Sequence, residues 1–487
     1  MQLPLANQTC PVKSTVQNSQ RLINLYSVPD SAAGRNSNVL YPTPGLTLFY
    51  DTGGLSVRGM LTVHNIVYGV TDNKFWSLTN DGVYTLIGNI STSSGQVSLA
   101  AIYDQVLIAD GSTTHLYIIS TQTYTTVASN LPQNVQYVAA QDEYFFAIQP
   151  GTDTFFVSNL SDGTTWQALM FAAVANLNGN LLAAVPLFGQ MWFFKETETE
   201  LWYNSGGSFP YQPQEGSNIN YGTAAAFSVA CGNQGIYWLA QTSDGSSLVC
   251  FISGNTPAVI STEGINYQIS LMTTTNDAVG YTYTQEGHEF YVLTFPTGNK
   301  TFVYDITTQL WHERNSLNVQ SGVAQPAYTR HRGNCAAYVA TGTNLIGDYI
   351  SGQVFRYSPE VYTDAGNTIE RIMVTPVMSN SGRLLTIWSL DLFAEVGQGL
   401  VSGQGSDPKI VLNISRDAGF TWGNDIKRSL GKIGQYRKRI KWNQIGTARN
   451  FAFKFTITDP LKVILIGATV EIEAEQAFKW PKILSDG

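Results

Sequence analysis

The sequence predicts an all-β protein: an irregular β-propeller of about six or seven blades, followed by a C-terminal antiparallel β-sandwich. Short apolar strands recur at intervals of roughly 40–50 residues, which is typical of propeller blades. Charged residues make up only 13% of the 487 residues, whereas aromatic residues reach 12%, a composition that suits half-buried pleated sheets. After about residue 366, the strands lengthen and alternate between apolar and polar residues, as in a separate sandwich.

The repeated unit is a set of short strands joined by polar turns. The first strands of these units are predicted to begin at residues 65, 105, 143, 190, 235, 288 and 334, so the steps are 40, 38, 47, 45, 53 and 46 residues. Each unit supplies three or four strands, and a sheet this small buries its faces only by stacking on its neighbours. Seven units can be counted, but the fourth and seventh are irregular, so six blades plus a linker is an open alternative.

Four segments follow from this pattern. Residues 1–54, rich in proline and turn residues, are expected to cap the propeller or to close it with a strand. Residues 55–365 are expected to form the propeller, residues 366–476 the β-sandwich, and residues 477–487 a C-terminal tail. Helical periodicity is nearly absent, and the short exception at 166–174 lacks helix caps.

The cysteines and the N-terminus indicate a chain that does not depend on disulfides. Cys10, Cys231, Cys250 and Cys335 lack the spacing of metal ligands. Cys231 and Cys250 are placed to meet on neighbouring strands, but isolated buried thiols are the favoured interpretation, which fits a reducing cytoplasm. The N-terminus has no apolar signal segment and no run of about 18 apolar residues occurs, so neither secretion nor a membrane segment is expected.

No catalytic or cofactor motif stands out in the chain. The sequence contains no G-x-S-x-G, no glycine-rich phosphate loop and no H-E-x-x-H. The histidines are scattered, at positions 64, 115, 288, 312 and 331, and this pattern does not suggest a metal site. A glycosidase needs two facing carboxylates, and no pair of acidic residues is singled out. We therefore expect no enzyme activity, no cofactor and no metal.

Three acidic residues alternate in the stretch KETETELWY: Glu196, Glu198 and Glu200. On a single strand their carboxylates would share one face, where they would hold a cation or line a channel. The favoured alternative is a solvated hairpin between QMWFFK and LWYN.

A single short motif, SRDAGFTW at 415–422, fits the Asp-box pattern S-x-D-x-G-x-T-W of sialidase-like propellers. In this pattern the aspartate and serine side chains bond turn amides, and the aromatic residue anchors the hairpin. The motif occurs once and outside the repeats, which favours a folding device and argues against a sialidase. The residues expected to form this structural turn are Ser415, Asp417, Gly419, Thr421 and Trp422.

The strongest charge signal lies near the C-terminus. Between Lys427 and Lys454 there are nine Lys or Arg and no acid, so the remainder of a chain of net charge −8 carries −8 − 9 = −17. Arg437, Arg439 and Lys441 alternate on a predicted strand and are expected to share a face that meets DNA phosphates or an acidic neighbouring subunit. A solvated sheet face opposite Ile440 and Trp442 is the alternative. The candidate contact residues are Lys427, Arg428, Lys432, Arg437, Arg439, Lys441 and Arg449.

Several segments, in their order and spacing, carry a resemblance to a known family. They are INLYSVP, YPTPGL with LTLFYDTGG and VRGM after it, FWSLTNDG, LIGNISTSSGQVSLA, WFFKETETELWYNSGG, NISRDAGFTWG, YRKRIKWNQIGTARNFAFKFTITDP and VILIGATVEIE. Together they resemble the packaged-DNA stabilisation proteins of short-tailed, podovirus-type bacteriophages, also called tail hub or nozzle proteins. The chain departs from that pattern in its glycine-rich loop Gly397–Asp407, which we expect to be specific to its own partners.

The resemblance implies a structural function without catalytic residues. It implies a homo-oligomer, a hexameric ring below the tail adaptor under the portal, which retains packaged double-stranded DNA and channels genome ejection. The implied partners are the adaptor ring, tail spikes or fibres, a needle or plug protein, and the encapsidated DNA. The implied location is the virion tail, assembled in the cytoplasm of the bacterial host. Two alternatives remain: a glycan-active or glycan-binding, sialidase-like propeller, and a propeller adaptor for host proteins.

Overall fold

The computed structural model describes residues 1–29, 38–127, 130–175, 178–254, 256–319, 326–339 and 342–474. The chain divides into two compact units, Thr43–Ile369 and a second unit that joins Met1–Pro42 to the chain from Glu370 onward. The expected N-terminal segment, residues 1–54, is thus divided between the two units. The expected C-terminal tail, residues 477–487, lies outside the described residues.

Within the described residues, the unit Thr43–Ile369 contains seven sheets that follow one another along the chain. Their strands pair antiparallel, except that Thr363–Asp364 pairs parallel with Gly45–Asp51. The predicted propeller is confirmed, with seven blades rather than six and a linker. The strands of blades 1 to 4 are Val57–Val63, Ile66–Thr71, Lys74–Thr79 and Tyr84–Asn89; Ser98–Ile102, Gln105–Ala109, Thr114–Ile118 and Thr123–Val127; Val138–Gln141, Tyr144–Ile148, Thr154–Val157 and Phe171–Ala173; Leu181–Leu187, Gln190–Lys195, Thr199–Asn204 and Tyr211–Pro213.

Blades 5 to 7 are the irregular ones. In blade 5, two short strands share the inner edge, and blades 6 and 7 carry extra short strands at their outer edges. Their strands are Gly222–Thr223, Ala230–Cys231, Ile236–Gln241, Ser247–Ile252 and Pro257–Val259; Val279–Gln285, His288–Phe295, Lys300–Asp305, Leu310–Asn318 and Ala327–Arg330; Gly333–Val339, Thr343–Asp348, Gln353–Ser358, Gly45–Asp51, Thr363–Asp364 and Asn367–Thr368.

The sequence repeat located the second strand of most blades, not the first. Second strands such as Gln105–Ala109 are buried along almost their whole length, so they give a continuous apolar run. Inner strands such as Ser98–Ile102 alternate between buried and half-buried residues, so they lack a continuous apolar run. The inner strands are therefore harder to recognise in the sequence. For this reason each predicted unit begins at the second strand of its blade, except in blade 7, where it begins at the first.

The ring of blades is closed by a strand from the beginning of the unit. Gly45–Asp51 pairs antiparallel with Gln353–Ser358 and forms the fourth strand of blade 7. The Gly352 N–H donates to the carbonyl of Gly54 over 2.7 Å, which extends the pairing beyond the strand. The first and last blades are therefore held together by main-chain hydrogen bonds between segments about 300 residues apart.

Aromatic side chains fill the space between blades. Between blades 3 and 4, Phe155 stacks on Phe193 with ring centroids 4.3 Å apart, and Trp202 meets Phe155 edge to face at 5.1 Å. All three rings are buried in one apolar cluster. Large rigid rings bury much area at low entropic cost, which accounts for the aromatic content of the sequence.

The structure corrects the position of the short helix. The stretch 166–174 contains the outer strand Phe171–Ala173, and the α-helix lies instead at Glu263–Ser270. Thr262 caps it, because its side chain accepts a hydrogen bond from the Ile265 N–H over 3.4 Å. A single 3₁₀ turn, Ala226–Ser228, completes the helical structure of the described residues.

The second unit is a sandwich of two antiparallel sheets. Its core comes from alternating inward residues such as Leu390, Leu412 and Phe453, all essentially inaccessible. One sheet contains Leu25–Pro29, Asn38–Pro42, Leu465–Ala474, Leu385–Ala394 and Ile440–Ala448, with Gln2–Leu3 at its side. The other contains Arg21–Ile23, Arg371–Val374, Asn450–Ile457, Lys409–Ser415 and Ile426–Ser429, with Met378–Ser379 at its side.

The four cysteines are free. Cys231 and Cys250 lie in the same sheet of blade 5, but Cys231 is opposite Ile236 and Cys250 is opposite Trp238. Cys250 is buried, and burial raises the pKa of its thiol to about 12, so it behaves as a small apolar residue.

Candidate functional site

The candidate contact residues gather around one loop of the sandwich. This loop, residues 430–439, connects the strands Ile426–Ser429 and Ile440–Ala448 and is called the basic loop below. Lys432, Arg437, Lys438 and Arg439 are all exposed along it. The predicted strand alternation of Arg437, Arg439 and Lys441 is wrong, because the strand begins only at Ile440 and the two arginines precede it.

Glycines explain why the chain turns here instead of continuing as a strand. Gly431 and Gly434 adopt φ values of +90° and +82°, in the left-handed region that strongly favours glycine. Leu430 and Ile440, at the two ends of the basic loop, are buried in the sandwich core. The core thus anchors both ends while the cationic side chains between them point into solvent.

The glycine-rich loop Gly397–Asp407 lies against the basic loop. The Gly397 N–H donates to the carbonyl of Leu430 and the Gly434 N–H donates to the carbonyl of Gly397, each over 3.1 Å. The Ser429 hydroxyl also donates to the Asp407 carboxylate over 3.0 Å. The glycine-rich loop and the segment with the highest positive charge therefore form one surface.

One carboxylate partly neutralises this surface. Asp391, on the neighbouring strand Leu385–Ala394, accepts two hydrogen bonds from Arg439, over 2.9 and 2.8 Å. The Lys441 ammonium lies 3.9 Å from the same carboxylate. Because the Arg439 side chain is 70% exposed, this pair contributes little to stability. The cations of Lys432, Arg437 and Lys438 have no hydrogen bond or ion pair with any described residue.

Arg428 and Lys427 extend the positive surface onto the adjacent strand. Both are exposed, and the Arg428 guanidinium donates to the carbonyls of Lys441 and Lys427, each over 2.9 Å. Main-chain carbonyls therefore hold Arg428 in place without cancelling its charge.

Arg449 lies away from this group. It follows the strand Ile440–Ala448 at the end opposite the basic loop, roughly 25 Å along an extended strand. Its guanidinium donates to the carbonyl of Gly382. Lys454 is also separate, with its ammonium 5.3 Å from the ring centre of Trp422. Arg449 and Lys454 are thus close to the basic loop in sequence but lie apart from it in the structure.

The Asp-box-like turn joins the strands Lys409–Ser415 and Ile426–Ser429. The Ser415 hydroxyl accepts from the Gly419 N–H and donates to Asp417, each over 2.7 Å. The Asp417 carboxylate accepts from the Thr421 N–H over 2.9 Å and from the Thr421 hydroxyl over 2.5 Å. These bonds favour the ionised carboxylate and lower the pKa of Asp417 to about 2. Trp422, half-buried, follows the turn.

The acidic stretch of blade 4 does not form one face. Glu196 and Glu198 lie in the turn, and only Glu200 is on the strand Thr199–Asn204. Glu200 accepts from the Trp202 indole N–H over 3.0 Å, and Glu196 accepts from the Asn180 amide over 2.9 Å. The carboxylates are thus used within the blade, and no metal-binding group of His, Cys, Asp or Glu occurs among the described residues.

Sequence reasoning missed the apolar component of the basic surface. Ile433 and Tyr436 in the basic loop are 59% and 67% exposed, and Val401 in the glycine-rich loop is 85% exposed. The large apolar side chains among the cations of the basic loop could have been noticed in the sequence. Their proximity to the glycine-rich loop, however, appears only in the folded structure. Over the described ranges, no helix has the length and apolar character needed to cross a membrane.

Family models match nearly the whole chain. The model described as "Bacteriophage P22 Gp10, beta-propeller" matches residues 1–360, and the model described as "Bacteriophage P22 Gp10, beta-sandwich" matches residues 370–473. The two matches divide near residue 370, where the second unit begins, but residues 1–42, which the propeller model matches, belong to the sandwich unit. The chain has no match among curated proteins.

Solved structures resemble the chain only distantly. A chain of the mitotic checkpoint complex is 11% identical, with a TM-score of 0.41, and the match covers 68% of this chain and 96% of that one. The N-terminal domain of Nup159 is 10% identical, with a TM-score of 0.41 and coverage of 68% and 98%. The extracellular domain of the putative hybrid two-component system BT4673 from B. thetaiotaomicron is 9% identical, with a TM-score of 0.44 and coverage of 65% and 40%. Likenesses this weak carry no functional argument.

Proposed function

This chain belongs to the family of bacteriophage P22 Gp10 and is a structural phage tail protein; we propose that it forms a ring-shaped nozzle below the portal and adaptor. In this proposal six copies assemble into the ring, retain the packaged DNA, and release it through the central channel at ejection. The ring also docks tail spikes or fibres and holds a needle or plug. The observation that carries the proposal is the match of both units, in order, to the two models of one tail-protein family.

The exposed basic loop supports a role in assembly. Its cations Lys432, Arg437 and Lys438 have no partner among the described residues, and the rest of the chain is strongly acidic. An acidic surface on a neighbouring subunit or on the adaptor would complement this loop and steer its approach.

The apolar residues of the same surface favour a protein partner over DNA. Contacts with DNA phosphates are made by cations and polar groups, and they gain little from exposed aliphatic side chains. Protein interfaces, in contrast, are enriched in Tyr and Arg around an apolar centre. Tyr436, Ile433 and Val401 supply such a centre, with Arg437 and Lys432 close to them in the chain or across the paired loops.

Charge reversal at the free cations tests this role. The triple variant Lys432→Glu, Arg437→Glu, Lys438→Glu changes side chains without internal partners, so the fold should keep its stability within about 1 kcal/mol. We expect ring assembly and adaptor binding to weaken by about a hundredfold or more, measured by native mass spectrometry and negative-stain electron microscopy of the full chain mixed with adaptor. Arg449→Glu, beyond the far end of the strand Ile440–Ala448, is the matched control and should assemble normally.

Two results would contradict the assignment of this surface. Normal rings and normal adaptor binding in the triple variant would exclude the basic loop as an assembly contact. If the triple variant formed normal rings but the particles leaked DNA, the basic loop would contact the packaged DNA instead of a protein. A wild-type chain that stays monomeric with and without adaptor would overturn the nozzle proposal itself.

A further inference from the structure

The propeller contains a cavity of about 540 Å³ at one mouth of its central channel. Its wall includes residues one or two positions before the inner strands of several blades, such as Ser56, Gln96, Gln136 and Ala278. A narrower channel of about 180 Å³, lined largely by the inner strands, shares several of these wall residues, Gln96 among them. The cavity is therefore the wide opening of the propeller axis, and its volume lies in the range of small-molecule sites.

The wall of the cavity is rich in groups that both donate and accept hydrogen bonds. Four amide side chains line it, Gln96, Gln136, Asn276 and Asn334, together with Ser56, Ser93 and Ser94. The aromatic rings of Phe227 and Tyr349 provide flat apolar surfaces in the same wall. Gln96 donates to the Asn334 amide oxygen over 3.1 Å, and the Asn334 amide donates to the Val57 carbonyl over 2.9 Å. The exposed amides of Gln136 and Asn276 each offer two donor hydrogens and one acceptor oxygen, so the wall suits a ligand that combines hydroxyl groups with apolar ring faces.

Arg330 adds an unsatisfied donor to this wall. The residue is only 8% exposed, and its guanidinium carbon lies 3.5 Å from the ring centre of Tyr349. Its Nη1 is buried and has no hydrogen-bond partner among the described residues. A buried charged donor without a partner costs free energy that a bound group would recover.

Asp277, in the same wall, carries the matching unsatisfied acceptor. Its Oδ2 accepts from the Thr297 N–H over 2.7 Å, but its Oδ1 is buried without a partner in the described part of the chain. Arg330 and Asp277 form no ion pair there, although the Asp277 charge acts on Arg330. A donor and an acceptor of opposite charge therefore stand in one cavity without satisfying each other.

A hydroxyl group is the chemistry that fits both atoms. It donates to a carboxylate and accepts from a guanidinium at the same time, whereas an anionic ligand would oppose Asp277 and a cationic ligand would oppose Arg330. The other carboxylate of the wall, Asp72, is occupied by the N–H groups of Leu55 and Ser56 over 3.1 to 3.3 Å. The wall is thus built for binding neutral hydroxyls and does not present two facing free carboxylates for hydrolysis.

We propose that this cavity binds a neutral saccharide of one or two hexose or N-acetylhexosamine units, without cleaving it. The sugar hydroxyls bridge Arg330 and Asp277 and bond the amides of Asn276 and Gln136, while a ring face packs against Tyr349 or Phe227. All of these residues lie in the propeller, so saccharide binding can be tested independently of ring assembly and of the basic loop.

Saturation-transfer NMR on the full chain tests the proposal directly. The probes are the methyl glycosides of glucose, galactose, mannose and N-acetylglucosamine at millimolar concentration. An array of delipidated O-antigen and capsular fragments then distinguishes the two cell-surface sources of such sugars. We expect saturable binding of at least one glycoside, tighter binding of a fragment that contains it, and no release of reducing ends.

Substitutions in the wall locate the site. Arg330→Met and Asp277→Asn should each raise Kd about tenfold or more, because each removes a charge-assisted hydrogen bond. Asn276→Ala and Gln136→Ala, at exposed positions, should each raise Kd about threefold and keep the test valid if the buried substitutions unfold the chain. Gln212→Ala, exposed on the outer strand of blade 4, is the control and should bind like wild type.

Three results would overturn the proposal. One is the absence of binding of every probe to the folded wild-type chain. The second is binding that none of the four wall substitutions weakens. The third is a high-resolution structure, grown with the glycosides, in which ordered water alone joins Arg330 to Asp277.

Discussion

The buried arginines of the propeller and the cations of the basic loop in the sandwich are used in opposite ways. In the propeller, Arg58 is 2% exposed and its guanidinium donates five hydrogen bonds of 2.5 to 2.8 Å, four of them to main-chain carbonyls. Arg332 is likewise buried and paired with Asp348. In the sandwich, the cations of the basic loop project into solvent, and Asp391 is their only carboxylate partner among the described residues.

This difference teaches where to look for function. A buried arginine whose N–H groups donate to loop carbonyls stabilises the fold. Removing it leaves buried carbonyls without hydrogen-bond donors, which costs free energy. An exposed cation without a partner contributes little to folding and is available to another molecule. The scarcity of charge in the propeller and its concentration in one loop of the sandwich thus separate the supporting structure from the proposed contact surface.

Removing the Arg58 guanidinium should give the largest loss of stability. Arg58 ties the first blade to the loop 92–95 that leads into the second blade. We expect Arg58→Met to lower the free energy of unfolding of the propeller by about 3 kcal/mol or more, because several charge-assisted hydrogen bonds are lost together. Urea unfolding followed by tryptophan fluorescence measures the change.

Arg428→Met is the matched comparison in the sandwich. Arg428 also donates to main-chain carbonyls, but it is exposed, so water replaces the lost bonds and the expected change is within about 0.5 kcal/mol. If Arg58→Met and Arg428→Met lowered the free energy of unfolding equally, burial would not explain the difference between the two arginines.

Weakening the closing strand should have the next largest effect. Leu46 is 1% exposed and Leu48 is 52% exposed on the same strand, and both are paired with the strand Gln353–Ser358. Leu46→Ala should lower the free energy of unfolding by about 2–4 kcal/mol, since it leaves a cavity at the ring closure.

Leu48→Ala supplies the control for this strand. It keeps the main-chain pairing and removes an exposed side chain, so we expect a change below about 1 kcal/mol. Limited proteolysis of both variants should cut the Leu46→Ala chain faster in the segment around Gly45–Asp51. Similar unfolding and cleavage in the two variants would mean that the closing strand does not hold the ring together.

The repeat was readable from the sequence because second strands are apolar on both faces. Runs such as QVLIA and YFFAI are buried along most of their length, and their spacing alone indicated blades. The inner strands were less visible, since their alternation resembles that of many surface strands. The pairing of Gly45–Asp51 with Gln353–Ser358 joins residues about 300 apart, and no local pattern specifies which partner a lone strand will take.

The candidate site could be predicted only in part, because its residues come together from separate segments. The cluster of Lys and Arg is local in sequence and is therefore readily predicted, but the strand expected to carry Arg437 and Arg439 begins only at Ile440, after the turn formed by Gly431 and Gly434. Asp391 pairs with Arg439 across strands, and Arg330 and Asp277 line the same cavity. Contacts between distant segments depend on tertiary packing, which single-sequence patterns do not contain.

The smallest expected effect concerns the pH dependence of the Asp-box-like turn. The folded-state pKa of Asp417 is about 2, below the usual value of about 3.9 for an aspartate in an unfolded chain. The turn therefore contributes its full stabilisation above about pH 4, and this contribution is lost as the pH falls toward 2. We expect the stability difference between wild type and Asp417→Asn to shrink over that interval.

Carbon-detected NMR titration of the Asp417 carboxyl gives the direct measurement, with an expected midpoint near 2. Thr421→Val removes the hydroxyl that donates to Asp417 over 2.5 Å but keeps the Thr421 main-chain N–H bond. The midpoint in this variant should rise part of the way toward 3.9, because one of the bonds that favour the ionised form is gone. An unchanged midpoint would show that the Ser415 hydroxyl and the Thr421 main-chain N–H hold the Asp417 charge without the threonine hydroxyl.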